Sequence, residues 1–421
     1  MSGIGWVDFS SEHRDKVKLV IDRLSTPGVI DELGIGVIRN SFSDSLFPGI
    51  STIQTRAKYF LTVPRIFKDY EKLQPSKRRR KDLSSYLNEQ ENSCMKAMVS
   101  NYDSEATHQI IGASFFNKPG EVLRKPSSVY WAGIRIFGLI DTDLSLQQFC
   151  NKFANPDQPL KDLIEGNEKT KGDDADADAE TGVGIRTPAY DDDWIESLDV
   201  AMSYDEAEFL TRQIEARVPT SLIGQILLAP EVRAQFLDLP SDSNFTAFAD
   251  EASFLKQFPS ELQQVVFAAR DFWQLMHGAH IRYNCQLQSA HGTSEKEAEF
   301  ENLWEQWLRD LKHFNWERWD TGFLWKLADD HHRSVHDESM AFVTDWIEEV
   351  RVGRRIEELD RLVFQQEKYN KKGRARLLPG ADESVNDWIG IDDLNYRLGN
   401  ARTIINDIHV GLTNEGVDAE R

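Results

Sequence analysis

Cysteine is scarce in this 421-residue chain, which has three, Cys94, Cys150 and Cys285, at distant positions. An odd number of scattered cysteines argues against a disulfide framework and against a cysteine-based zinc site. Long apolar runs are missing as well, because even the segment 265–287 is interrupted by charged residues and histidines. We therefore expect a cytoplasmic protein that does not integrate into a membrane. The first ten residues lack a basic stretch followed by an apolar one, so we expect no export signal.

Acidic residues outnumber basic ones: the chain has 49 Lys and Arg but 70 Asp and Glu, which gives a formal net charge of −21. This charge disfavours non-specific binding of the whole molecule to nucleic acid or anionic lipid, although local basic patches can still bind them. Hydrophobic residues make up 40% of the chain and aromatic residues 10%, which excludes a disordered protein. A chain of this length is expected to form two or three domains.

The spacing of apolar residues predicts short helices near the start of the chain. One covers 10–24, a second covers 30–46, and a third begins at Ser51, where Ser51 and Gln54 resemble a capping box. Pro64 should kink or end the third helix, since proline lacks an amide donor.

Helical spacing continues through the rest of the chain, with one possible exception at 109–116, which also fits a short strand. The remaining predicted helices are 82–107, 129–137, 144–153, 204–218, 261–287, 295–314, 323–327 with the following turn, and 340–364. Small and acidic residues replace this periodicity at 166–184. We therefore expect a mainly α, multi-helical protein with at most a small β element. Its two helical domains, 1–165 and 185–421, are joined by the acidic linker 166–184.

No catalytic motif stands out, since nucleophile elbows, kinase motifs and phosphate-binding loops are all missing from the sequence. His332 and His336 are spaced as one helical turn, which makes them candidate metal ligands; a solvated polar helix face is the alternative. We expect no cofactor and favour a non-enzymatic protein.

Clustered cations are the strongest candidates for binding sites. One basic run spans 77–81, and others lie near the end of the chain. Arg39 and Arg56 lie among apolar residues, where an unpaired charge is costly, so we expect them to pair with Asp or Glu residues such as Asp31, Glu32 or Asp44. The candidate partner- or phosphate-binding residues are Arg39, Arg56, Lys368, Lys371, Lys372, Arg374, Arg376 and Arg397. The alternative is a solvated helix face with surface ion pairs.

Several segments of the sequence resemble an uncharacterised bacterial family, domain of unknown function 6361. They are the residues 5–10, 31–39, 46–60, 126–133, 372–377, 394–397 and 401–407. This resemblance spans nearly the whole chain, and it implies antiviral (anti-phage) defence in a complex with a helicase or a phospholipase-D-like nuclease. It assigns no catalytic residue.

Three hypotheses follow for the function. The first is a non-enzymatic defence subunit that scaffolds or regulates a helicase or nuclease partner. The second is a DNA-binding component of the same system, which contacts phosphates through local basic segments. The third is an enzyme whose active-site residues are scattered in sequence and meet only in the fold.

Overall fold

The protein is predominantly helical. The computed structural model describes residues 31–101, 109–116, 122, 124–152, 184–240, 244–378, 388–391 and 393–414. These residues form seventeen α-helices and no β-strand; a single isolated bridge joins Ile140 and Ile185. The predicted mainly α, multi-helical fold is thus confirmed. The predicted helix at 10–24 and nearly all of the linker 166–184 lie outside the described residues.

The helices are numbered here in chain order. The first six are α1 Gly36–Leu46, α2 Tyr59–Lys72, α3 Pro75–Arg80, α4 Leu83–Asn101, α5 Pro126–Ile136 and α6 Leu146–Lys152. The next five are α7 Tyr204–Arg217, α8 Leu222–Leu228, α9 Pro230–Asp238, α10 Phe245–Ala249 and α11 Ala252–Leu255. The last six are α12 Ser260–His291, α13 Ser294–Leu311, α14 Thr321–Asp330, α15 Asp337–Arg351, α16 Ile356–Lys371 and α17 Leu398–Thr413. No helix among the described residues is long and apolar enough to span a membrane.

The chain divides into two compact units that each combine distant stretches of sequence. Unit 1 comprises Met1–Phe42, Asn244–Ala249 and Gln264–Tyr396. Unit 2 comprises Ser43–Ser243, Asp250–Gln263 and Arg397–Arg421. These units differ from the predicted domains 1–165 and 185–421. One reason is that the last helix of the chain, α17, packs against α7 within unit 2.

Two predicted helices begin later than expected. The helix predicted at 30–46 begins at Gly36, where the Asp31 carboxylate accepts hydrogen bonds from the amides of Ile35 (2.9 Å) and Gly36 (2.7 Å). The third helix begins at Tyr59 rather than Ser51, since the Gln54 side chain binds the Ser51 amide and the Gly49 carbonyl and so stabilises a non-helical turn. Of the two outcomes expected at Pro64, a kink or an end, the end is wrong, because α2 continues to Lys72.

Two other expectations needed correction. The segment predicted as one helix over 340–364 forms α15 and α16, separated at Gly353, whose φ of 70° interrupts the helix. The possible strand at 109–116 instead contains the 3-10 helix Ala113–Phe115. The other predicted helices agree with the described ones to within a few residues.

Unit 1 is organised around the buried face of α12. Phe272, Met276 and Tyr283 of this helix have no solvent exposure. Trp307 donates its indole N–H to the Gln274 carbonyl (2.7 Å), and Trp346 donates to the Leu275 carbonyl (3.0 Å). The tryptophans therefore pack as core residues whose polar atoms are satisfied by the backbone of α12.

Unit 2 packs α2 against α4 and α5, and α7 against α17. The rings of Phe60 and Phe67 in α2 contact Tyr130 and Trp131 in α5, with centroid distances of 4.9 and 5.9 Å. The close approach of α5 to the backbone at Gly49 depends on Gly133, because a Cβ at this position would lie 2.3 Å from the Gly49 carbonyl oxygen. Backbone and aromatic packing thus leave no room for a side chain at this position.

Gly133→Ala should destabilise the protein. The added methyl group meets backbone that cannot move freely, so we expect a loss of about 1–3 kcal/mol in the free energy of unfolding, measured by urea denaturation. Gly399→Ala is the matched control: its Cβ meets nothing within 4 Å, and alanine should stabilise α17 by up to about 1 kcal/mol. Equal effects of the two substitutions would contradict the predicted packing constraint.

Candidate functional site

Three of the sequence segments singled out above meet in unit 2: 46–60, 126–133 and 401–407. The Tyr130 hydroxyl links two of them. It accepts hydrogen bonds from the amides of Thr55 (2.8 Å) and Arg56 (3.0 Å) and donates one to the Arg56 carbonyl (2.8 Å). One buried phenol therefore satisfies three backbone groups of a non-helical segment.

The third segment contributes Asp407 of α17. Arg56 binds its carboxylate through two nitrogens, with Nη2–Oδ1 at 2.7 Å and Nε–Oδ2 at 2.9 Å. The Ala57 amide also donates to Asp407, at 2.8 Å. Burial raises the pKa of Asp407, while Arg56 and the Ala57 amide oppose that rise. The expectation that Arg56 forms an ion pair is met, but its partner is none of the three acids predicted.

A second buried ion cluster lies close by in sequence, where Lys58 and Arg65 share the carboxylate of Glu206. Both nitrogen–oxygen distances are 2.7 Å, and all three side chains are at most 8% exposed. Burial alone would raise the pKa of Glu206, but the two cations hold it below its ordinary value. Glu206 also closes the capping box of α7 with Ser203. This cluster joins α2 to the start of α7.

The carboxyl group of Glu91 in α4 is buried and has a pKa close to neutral pH. Its carboxylate accepts a hydrogen bond from the Ser127 amide, at 2.5 Å, at the beginning of α5. Burial raises the pKa of Glu91 to about 7, against the smaller opposing effect of the Ser127 hydrogen bonds. A carboxyl group with such a pKa is suited to proton transfer, but here it is buried against a helix N-terminus, where its evident role is to hold α5.

In unit 1 the segment 31–33 is tied to α16. Lys371 forms an ion pair with the buried Glu32 (2.9 Å). The side-chain amide of Gln366 donates to the Leu33 carbonyl (2.7 Å), and that of Asn370 donates to the Asp31 carbonyl (2.8 Å). Lys371, a predicted binding residue, is therefore engaged within the protein.

Glu367 anchors the basic segment that follows α16. This carboxylate has no solvent exposure. It accepts hydrogen bonds from the Tyr283 hydroxyl (2.9 Å) and from the amides of Arg376 (2.8 Å) and Leu377 (3.0 Å). The Arg376 carbonyl lies 3.1 Å from Nε2 of His291. The backbone at Arg376 and Leu377 is thus fixed by side chains of α16 and α12.

Lys368, Lys372 and Arg374, named here the basic turn, remain exposed on this fixed backbone. Lys372 has φ 55° and ψ −126°, a conformation that residues other than glycine rarely adopt. Such strain persists only where surrounding contacts impose it, and those contacts come from Lys371 and Glu367. Three of the predicted binding cations therefore lie exposed in the last turn of α16 and in the fixed turn that follows it.

The remaining predicted residues are placed as follows. Arg397 forms an ion pair with Asp44 (2.7 Å) within unit 2, so Asp44 is the partner of Arg397 rather than of Arg56. Nε of Arg39 donates to the Asn40 side chain (3.3 Å). His332 and His336 do not share a helical turn, because they lie in the loop between α14 and α15, where His332 has φ 52°. No group of three or more potential metal ligands converges among the described residues.

The segments of unit 2 and of unit 1 described above are among those in which the sequence resembles domain of unknown function 6361. One of those segments, 5–10, lies outside the described residues. A family model described as "Family of unknown function (DUF6361)" matches residues 1–410. The chain belongs to the DUF6361 family. No curated protein and no solved structure matches it.

Sequence reasoning missed most of the buried partners in this DUF6361 chain. Tyr130, Glu206 and Asp407 were not singled out, although each holds an element in place. Arg56 and Asp407 are 351 residues apart, and a linear pattern has no signal for such a pair. Only the presence of charges in apolar helices pointed to their existence.

Breaking the Arg56–Asp407 pair should strongly destabilise unit 2. Arg56→Met leaves a buried carboxylate without its cation, and we expect a loss of about 3–5 kcal/mol, measured by urea denaturation. The double variant Arg56→Met, Asp407→Asn should lose less than the sum of the single variants, since Asn keeps an acceptor for the Ala57 amide. Arg212→Met is the control: Arg212 pairs with Glu208 on the surface, and its loss should cost less than about 1 kcal/mol. If the stability loss of the double variant equalled the sum of the losses of the two single variants, the proposed coupling between Arg56 and Asp407 would be contradicted.

Glu91→Gln should change how stability depends on pH. The folded pKa of about 7 lies above the ordinary value of 4.5, so between these values the folded protein retains a proton that the unfolded chain releases. The stability of the unsubstituted protein therefore falls as pH rises through this window, by about 3 kcal/mol. Glutamine still accepts the Ser127 hydrogen bond but does not ionise.

The measurement is urea denaturation of both proteins at pH values from 4.5 to 8. The stability of the variant relative to the unsubstituted protein should increase with pH across this range. Glu89→Gln, at an exposed position of the same helix, should show no such trend. Parallel curves for Glu91→Gln and the unsubstituted protein would mean that Glu91 does not titrate near neutrality.

Proposed function

We propose that this protein is a non-enzymatic subunit of a bacterial anti-phage defence system, and that it holds a helicase or phospholipase-D-like nuclease partner through the basic turn. The observation that carries the proposal is the exposure of Lys368, Lys372 and Arg374 on a backbone fixed by Glu367. Because the backbone that carries these cations is already fixed, binding does not have to order it. The occupant expected for this surface is an acidic patch of the partner protein.

The other predicted binding cations favour a protein whose motifs maintain its own fold. Arg56, Lys371 and Arg397 are all engaged with carboxylates of their own unit. Such residues are poorly available to a ligand, since removing one leaves its acidic partner unpaired. This distribution supports a subunit that binds through a limited basic surface.

Charge removal at the basic turn should abolish partner recovery. The triple variant Lys368→Gln, Lys372→Gln, Arg374→Gln and the unsubstituted protein are expressed from the native locus, captured from nuclease-treated lysate and analysed by mass spectrometry. We expect a helicase or phospholipase-D-like nuclease with the unsubstituted protein and at least tenfold less of it with the variant. All three side chains are exposed, so the fold should be unaffected, as circular dichroism and thermal unfolding can verify.

The matched control removes three exposed cations elsewhere, Lys77→Gln, Arg79→Gln and Arg80→Gln, and should leave partner recovery unchanged. Partner recovery that survives the basic-turn substitutions would refute the assignment of this surface. A protein recovered without a helicase or nuclease would refute the scaffold function and favour an enzyme with an unrecognised site. Partners recovered only without nuclease treatment would favour a DNA-binding component.

A further inference from the structure

The short helix α3 of unit 2 consists of Pro75, Ser76 and four consecutive cations, Lys77 to Arg80. None of its six residues is buried. Neither Lys77 nor Arg80 forms an ion pair with any residue that the structure describes. The buried Nε atom of Arg78 has no hydrogen-bond acceptor among those residues either. The helix therefore exposes a dense positive charge, and its cations Lys77 and Arg80 have no acidic partner among the described residues.

Packing gives no reason for this helix. Six residues are too few for a helix to be stable alone in water, and consecutive like charges repel one another. A helix without a buried residue also adds nothing to the core. Pro75 at its first position and the tether through Lys81, which pairs with Glu89, hold it in place instead.

We infer that α3 binds the phosphate backbone of duplex DNA. Successive residues of an α-helix are rotated by about 100°, so the exposed Lys77, Arg79 and Arg80 spread over about half of the circumference of α3, and the partly buried Arg78 lies on the remaining side. A helix that enters the major groove of B-form DNA meets phosphates on both walls of the groove. Cations spread over this arc can reach both walls, so their arrangement matches that environment.

The chemistry of the side chains agrees with this occupant. Three of the four cations are arginines, whose planar guanidinium groups bind phosphate oxygens through two donors. The nearby carboxylate of Asp82 is already engaged by the amide and hydroxyl of Ser85, both at 2.9 Å. Hydrogen bonding to Ser85 lowers the pKa of Asp82, and this acid does not pair with the cations of α3.

The acidic charge of the whole chain does not prevent a local contact. At physiological salt, exposed charges are screened over about 8 Å, so phosphates close to α3 experience mainly its own cations. Binding should be independent of base sequence, because phosphate contacts carry no sequence information. It should also weaken steeply with salt, since each neutralised phosphate releases counterions.

The test is fluorescence anisotropy of a labelled DNA duplex of arbitrary sequence titrated with the full chain at several NaCl concentrations. About four phosphate contacts predict a slope of log K against log salt of about −3.6. The variant Lys77→Gln, Arg79→Gln, Arg80→Gln should reduce the magnitude of this slope by about 2.7. These three side chains are exposed, and circular dichroism should show an unchanged helix content.

The basic-turn variant Lys368→Gln, Lys372→Gln, Arg374→Gln removes the same charge from unit 1 and should leave the slope unchanged. An equal reduction by both variants would overturn the assignment to α3, because it would reflect net charge alone. Competition by poly-glutamate at the same charge concentration as DNA would also overturn it, in favour of an acidic protein. Since partner recovery is measured separately, failure of DNA binding does not refute the proposed scaffold function.

Discussion

The non-helical segment 47–58 is the constraint on which unit 2 depends. Much of it is buried, and buried amides and carbonyls outside helices need partners from elsewhere in the protein. The Tyr130 hydroxyl, the Asp407 carboxylate and the side-chain amides of Gln54 and Asn400 supply them. Because these partners come from α5, α17 and the segment itself, satisfying one loop fixes the positions of two helices.

The same constraint explains why the segments that resemble DUF6361 proteins serve internal contacts. Arg56 and Asp407 neutralise each other, and Asp407 also accepts a hydrogen bond from the Ala57 amide of the loop. Unit 1 repeats the arrangement, since Glu367 satisfies the amides after α16 while Lys371 neutralises Glu32. Carboxylates in both units therefore hold irregular backbone in place, a role for which a charged acceptor is stronger than a neutral one.

The sequence predicted the longer helices well, but it missed the short helices α3, α8, α9, α10 and α11, and it predicted long-range partners poorly. Helix α7 was predicted at nearly its observed bounds, because its apolar period is local. The start of α2 was misplaced, because Ser51 and Gln54 have the residue types of a capping box, but Gln54 instead bonds Gly49 and stabilises a turn. The partner of Arg56 could not be predicted, since Asp31, Glu32 and Asp44 were favoured only for being near in sequence. Of the candidate cations that face a carboxylate, the sequence indicated Arg56 but not Lys371 or Arg397.

That distinction between inward and outward cations governs what the protein can bind. Lys58, Arg56 and Lys371 face carboxylates, and the cost of an unpaired buried charge keeps them there. The cations of the basic turn and α3 are exposed or partly exposed and retain their attraction for external anions. Against a net charge of −21, a polyanion gains affinity only where it meets such a cluster closely, because elsewhere the surface repels it. An acidic chain with local basic clusters therefore favours partners that are positioned by shape over polyanions that would coat its whole surface.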